Sequence, residues 1–228
     1  MAMLTPVDFW LEARKALRQT KNLFWLAELD PLDNPDYMNV FDSAYTWRWM
    51  NAAKQTKDEG AQQIHHLKYV LSQYLNELPH TACPAWFTSN HDENSWNGTE
   101  YEKYGEMAIP LAVFSATWKG IPLIYSGQEL PNQKRLQFFD KEIIEWNGDP
   151  SLHDFYKQIL NLRKVVPAFK SIKSGIALAI VVFVATLIVG IIAEPVGVPR
   201  PVVKTTILIP AAANPVSCSV SCPGVSIK

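Results

Sequence analysis

The stretch Phe87-Thr88-Ser89-Asn90-His91-Asp92-Glu93-Asn94 sets amides, an imidazole and two carboxylates side by side, directly after a short apolar run. Carboxylate and imidazole can move protons or hydrogen-bond a polyhydroxylated substrate, and an amide can orient either of them. Ala85, Trp86 and Phe87 suit a buried strand, so the polar residues fall where that strand would leave the core. Burying so many polar groups without partners is costly. The stretch therefore reads either as the lining of a wet cavity or as an exposed polar turn. A second carboxylate stands in the same relation to an apolar run, because Leu23-Phe24-Trp25-Leu26-Ala27 ends at Glu28. Such a continuous run is typical of strands buried on both faces of a parallel sheet.

The elements that must position these groups alternate along the chain. Thr5-Pro6-Val7-Asp8 predicts a helix start, with Thr5 as N-cap and Pro6 at the first helical position. In that helix Phe9, Ala13, Ala16 and Leu17 share one face, and Arg14, Lys15 and Arg18 fall largely on the other. A weaker strand is expected within Tyr37 to Tyr45, with Asp42 near its end. A helical region follows from Trp47 to about Leu78, where Ile64, Leu67, Leu71, Tyr74 and Leu78 keep helical spacing. His65 and His66 are adjacent, so they face different ways and do not form a metal pair. After the Ala85 strand come a helix from about Tyr101 to Thr117 and a strand at Ile121 to Tyr125 that leads into Gly127, Gln128 and Glu129. Asp149-Pro150 opens a last helix with Leu152, Phe155, Ile159 and Leu162 as its apolar stripe. Strands alternating with helices predict an α/β fold with a parallel sheet. Polar groups at the strand ends suit one face of a (β/α)8 barrel or of an open doubly wound sheet, and periodicity does not separate the two. No glycine-rich phosphate loop follows any of the strands, which argues against a nucleotide-binding sheet.

Composition excludes little. A net charge of -1 over 228 residues gives no electrostatic reason to expect nucleic acid or an anionic membrane surface as partner. Trp47, Trp49 and Trp96 lie beside polar residues, where an aromatic ring either packs in the core or offers its face to a sugar. No secretory signal opens the chain, since Met1 to Leu17 carries Asp8, Glu12 and Arg14, and the localisation stays open. Towards the other end, residues 174–193 carry no charge and are long enough to cross a bilayer. Lys170 and Lys173 would keep the preceding portion cytoplasmic, and a buried or aggregating pair of strands is the rival reading. The tail after Pro195 is rich in Pro, Val and Ala and reads as irregular. Its Cys218 and Cys222 could form a small disulfide, half a metal site or two free thiols, while Cys83 stands apart.

Leu26-Ala27-Glu28, Phe87 to Asp92, and Gly120-Ile121-Pro122-Leu123-Ile124-Tyr125-Ser126-Gly127-Gln128-Glu129 resemble three short motifs of the alpha-amylase family of glycoside hydrolases (family 13), in the same order. The likeness continues through Lys134-Arg135-Leu136 and Phe138-Phe139-Asp140-Lys141 to Trp146 and the helix near Leu162-Arg163-Lys164. It implies the C-terminal half, about strands five to eight, of a (β/α)8 TIM barrel over residues 1–169, followed by an unrelated hydrophobic and Pro-rich tail over 170–228. By that likeness Glu28 takes the place of the general acid/base and Asp92 that of the carboxylate that stabilises the transition state. Asn90 and His91 accompany Asp92, with His91 contacting the sugar. The implied substrate is an α-glucan or maltooligosaccharide. No cofactor is implied, and no metal ligand set can be read here, although the resemblance leaves calcium open.

These residue types suit retaining glycoside hydrolysis, in which one carboxylic acid protonates the leaving oxygen and a second carboxylate attacks. Burial of Glu28 at the end of an apolar strand would raise its pKa and favour the acid role, while Asp92 in a polar loop would stay ionised. Glu129 is expected to organise the loop after its strand. The family's nucleophilic Asp and a nearby Arg belong to the fourth strand, which would precede the first helix of this chain, and an earlier Asp-and-Asn-His motif belongs to the third; neither motif is present. The chain is therefore expected to be a fragment that does not turn over alone, with open strand edges that invite self-association. The rival readings are a membrane-tethered sugar-binding or interaction protein without catalysis, and the product of a truncated gene.

Overall fold

The computed structural model describes residues 2–59, 61–146, 151–166 and 169. The 174–193 segment, the Pro-rich tail with Cys218 and Cys222, and Asp149-Pro150 lie outside them. Among the described residues no helix is long and apolar enough to cross a membrane.

Helix α1 (Val7–Arg18) is followed by strand β1 (Leu26–Ala27), a 3-10 helix at Pro35–Asn39 and strand β2 (Ser43–Tyr45). Helices α2 (Trp47–Glu59) and α3 (Ala61–Asn76) lead to β3 (Cys83–Trp86). Helices α4 (Glu100–Tyr104) and α5 (Ala108–Thr117) precede β4 (Ile121–Pro122), and α6 (His153–Val165) is the last described helix. All the strand pairs are parallel, and the order across the sheet is β1-β2-β3-β4. Ala27 pairs with Ala44, Tyr45 with Ala85 and Trp86 with Pro122. An order that follows the chain without reversal is what an arc of a barrel requires, whereas a doubly wound sheet reverses at a switch point.

The core lies between the sheet and the helices. Trp49 stacks on Phe114 with ring centroids 5.1 Å apart, Trp86 meets Trp49 edge-on at 5.6 Å, and Tyr74 meets Trp86 at 5.2 Å. The Trp86 indole also donates to the Lys119 carbonyl at 2.6 Å, so the buried ring keeps its polar atom bonded. Truncating a ring of this kind typically costs about 3–5 kcal/mol. Gly120 is needed at the turn into β4. Its φ of 129° disfavours a side chain, and a Cβ there would run into the Pro84 carbonyl oxygen and the Trp86 indole. Arg163 of α6 donates to the carbonyls of Ala116 and Trp118 at 3.0 and 2.9 Å, closing off the end of α5.

Several local expectations change. Helix α1 begins one residue later than the sequence suggests, with Pro6 at the N-cap and no side-chain cap. Its inward face carries Trp10 and Arg14, while Phe9 and Leu17 are exposed. Arg14 turns inward because Asp42 is there to receive it, 2.5 Å away. Residues Tyr37 to Asp42 do not form a strand. Pro35 starts a 3-10 helix, and the Tyr37 hydroxyl pins it to the Thr5 carbonyl at 2.8 Å. Asp42 thus precedes β2, where it accepts from the Trp25 amide at 2.8 Å. The apolar run Leu23 to Ala27 is buried only at its end, because β1 is the edge of the described sheet. The long helical region divides into α2 and α3, and β4 keeps only the first two residues of the expected strand.

Candidate active site

Glu28 follows the last residue of β1, and Asn90 to Asp92 follow β3 after a short buried connection. Both therefore lie beyond the carboxyl ends of parallel strands, where barrel and open α/β sites are built. Beyond these ends His91 Nε2 is 3.6 Å from Glu28 Oε1 and 3.7 Å from Asp92 Oδ2. One ligand atom from each of Glu28, His91 and Asp92 fits within 4.8 Å of the other two. The side chains remain open, with Glu28 42 %, His91 47 % and Asp92 33 % exposed. The burial expected of Glu28 at the end of an apolar strand is thus not present here. Such a set could hold a cation as well as share protons, and the carboxylates alone do not decide between the two.

Asn90 sits differently from its neighbours. It is buried, and its Oδ1 accepts from the amides of Asp92 and Glu93 at 3.0 and 2.8 Å. These bonds bend the chain into a π-helical turn at Glu93–Asn97, a feature often found at functional sites. Asn90 therefore meets the backbone that carries Asp92, and it does not line the open cleft. Glu93 points the other way, into the core, where Lys103 meets it at 3.2 Å.

The loop after Glu28 is fixed by Asp30. Its Oδ1 accepts from Leu32 N at 2.9 Å, and its Oδ2 from Arg48 N at 2.8 Å and from the Tyr74 hydroxyl. Arg48 lies in the first turn of α2, so the carboxylate also meets the positive end of that helix. Burial nonetheless pushes the Asp30 carboxyl above its ordinary range, against these hydrogen bonds.

Three groups escape a reading of the sequence. Tyr45 ends β2 beside the cluster, and burial followed by the charges of Glu28 and Asp92 pushes its phenol up. It stays a hydrogen-bond donor facing two carboxylates. Its position at a strand end, equivalent to that of Glu28, is the signal that could have found it. Glu100 and Gln128 form a buried polar knot with Thr88 and Tyr156 behind the β3 loop. The loop after β4 is therefore organised through Gln128, whose Oε1 accepts from the Tyr125 amide at 2.5 Å. Of the tryptophans, Trp49 is core, Trp47 packs against Tyr45 and Phe87, and Trp96 is open to solvent.

Residues 3–148 match the family model described as alpha amylase, catalytic domain. The chain belongs to the alpha-amylase family. Among solved structures, a noncanonic maltogenic alpha-amylase from Thermotoga neapolitana superposes with a TM-score of 0.63 at 23% identity, over 75% of this chain and 39% of that one. An alpha-amylase from Lactobacillus plantarum gives 0.62 at 22% identity, over 73% and 42%. One from Geobacillus thermoleovorans, complexed with acarbose, gives 0.59 at 23% identity, over 72% and 39%. No curated protein matches the chain. The chain spans about two fifths of the length of these amylases, and its parallel sheet matches part of their TIM-barrel domain.

Proposed function

We propose that this chain supplies the acid/base half of an alpha-amylase-type retaining glycosidase acting on α-linked glucans. The carrying observation is the convergence of Glu28, His91 and Asp92 beyond the ends of β1 and β3. Protonated Glu28 gives its proton to the glycosidic oxygen as the bond to C1 breaks, while a nucleophilic carboxylate takes C1. Glu28 then removes a proton from water, whose oxygen attacks C1 and releases the nucleophile. Asp92 stabilises the oxocarbenium-like charge, and His91, between the two carboxylates, hydrogen-bonds a hydroxyl of the same sugar. Asn90 holds the Asp92 backbone in place, and Tyr45 donates toward the carboxylates without ionising.

The nucleophile belongs, by resemblance, to a strand that these 228 residues do not include, so the chain alone is proposed to show no turnover above background. Mixing it with the preceding barrel segment of the Thermotoga relative is expected to restore reducing-sugar release from maltooligosaccharides, and Glu28→Gln to remove it. Restored activity that Glu28→Gln leaves intact would overturn the assignment. The open cleft with exposed carboxylates also favours a second reading, sugar binding without catalysis. Calorimetric binding, together with failure of the mixture to turn over, would support it.

A further inference from the structure

An imidazole stands between the two carboxylates beyond β1 and β3, and the spacing is not that of hydrogen bonds. His91 Nε2 is 3.6 Å from Glu28 Oε1 and 3.7 Å from Asp92 Oδ2, too far to donate to either. Around a tetrahedral ion with ligands at roughly 2.0–2.2 Å, neighbouring ligand atoms are about 3.3–3.6 Å apart. The three ligand atoms all lie within 4.8 Å of one another, and the carboxylates are open enough to close on an ion by side-chain rotation. Two of the three ligands are also held from behind. Phe138 stacks on the His91 ring with centroids 6.2 Å apart at 28°, and Asn90 Oδ1 takes the amides of Asp92 and Glu93. Support of this kind keeps metal ligands oriented.

We propose that Glu28, His91 and Asp92 bind a divalent transition ion of the zinc class, and that the ion switches the proposed glycosidase off. One imidazole nitrogen and two carboxylate oxygens suit zinc and its first-row neighbours, with water completing the coordination. Calcium and magnesium take oxygen ligands, calcium roughly six to eight of them, so a set of three that includes a nitrogen serves neither well. Metal ligands must be deprotonated. A Glu28 oxygen held by the ion therefore cannot carry the proton that the leaving oxygen needs, and the Asp92 charge is taken up at the same time. The ion site stands on geometry, whereas the switch rests on the acid/base reading of Glu28, and the two are tested apart.

The test is calorimetric titration of the full 228-residue chain with zinc chloride, in a Cys218→Ser/Cys222→Ser background so that the tail thiols do not compete. One zinc ion is expected to bind with a Kd of about 10 μM or tighter. His91→Gln and Asp92→Asn should each weaken this by about tenfold or more, whereas His65→Gln/His66→Gln, two exposed residues of α3, should leave it within about twofold. Zinc should also raise the urea midpoint of the parent and not that of His91→Gln, a difference that a fold defect would not produce. No zinc uptake by the parent, or equal affinity in His91→Gln, would overturn the ion site. In the mixture with the preceding barrel segment, zinc should stop reducing-sugar release and a chelator should restore it. Hydrolysis that continues with zinc bound through His91 would overturn the switch. An inactive mixture would overturn the acid/base reading and the switch with it, while the titration still decides the ion site.

Discussion

Lys103 Nζ lies 3.2 Å from Glu93 Oε2 with both side chains buried, and the same ammonium donates to the Thr88 carbonyl at 3.0 Å. The pair fastens the β3 loop to α4 from beneath, one residue beyond Asp92. Burial pushes the Lys103 ammonium below its ordinary value, and the Glu93 carboxylate works against that shift. Lys103→Met should therefore strand a carboxylate in the core and cost about 3–5 kcal/mol in urea unfolding. Adding Glu93→Leu to it should recover most of the loss. A single-variant cost below about 1 kcal/mol would mean that water reaches Glu93.

Glu100 poses a different case, a buried carboxyl whose hydrogen-bond partners, Thr88 and Gln128, are neutral. Burial raises it from its ordinary 4.5, and the bonds from Thr88 and Gln128, with the nearby Lys103 ammonium, only partly oppose this. With its folded value above its unfolded one, the group's contribution is fully present in acid and lost as pH rises through the folded value. Glu100→Gln should unfold within about 1 kcal/mol of the parent near neutral pH and remove that decline, since the accepting oxygen is kept. Glu100→Ala leaves the Thr88 and Gln128 donors unpaired and should cost about 1–3 kcal/mol. Equal urea midpoints for the two variants would count against the polar knot.

What could be read in advance was what depends on local pattern. Alternating apolar runs and helical stripes announced a parallel α/β sheet, and the polar residues after the Leu26 and Trp86 runs announced that Glu28 and Asp92 would lie beyond the same end of it. Residues whose role depends on a distant partner stayed hidden. Arg14 belongs by spacing to the polar face of α1, yet it turns inward because Asp42 lies beneath it. Gln128 and Glu100 look like ordinary surface residues until β3 and β4 bring their loops together. Tyr37 and Met38 fit a strand as well as a 3-10 helix, and the choice falls to Pro35 and to the distant carbonyl of Thr5.

The capping box of α4 should give a pH signature of its own. Thr99 and Glu102 cap the helix reciprocally, and Arg135 beside Glu102 holds that carboxyl down to about 2 from 4.5, with the Thr99 amide bond adding to the effect. The folded value is the lower one, so the stabilisation is present above about 4.5 and lost as pH falls towards 2. Glu102 and Arg135 are both about half exposed, so the effect should also shrink in high salt. Urea titrations of Glu102→Gln and of the parent should therefore converge in acid. A difference that persists through this window would show that the Arg135 pair does not cause the shift.

Asn90 offers the sharpest test of how the Asp92 loop is held. Its Oδ1 takes two backbone hydrogens, whereas its Nδ2 is enclosed with no hydrogen-bond partner among the described residues. Asn90→Ala should lose both accepted bonds and cost about 1–3 kcal/mol, with the amides of Asp92 and Glu93 left to find water. Asn90→Asp keeps the accepting oxygen and replaces the unpartnered amide with a second oxygen, so the Asp92 and Glu93 bonds survive. It also places an ionisable group in a buried position between Asp92 and Glu93, where desolvation and like charge both raise a carboxyl. The sign is then fixed: this variant should approach the parent in acid and lose stability as pH rises through the elevated value. Urea midpoints of parent, Ala and Asp chains measured from mild acid to neutrality would separate the two losses. An Asp variant as stable as the parent near neutral pH would mean that the side chain is wetter than its burial indicates, or that it rotates to face the cleft and His91.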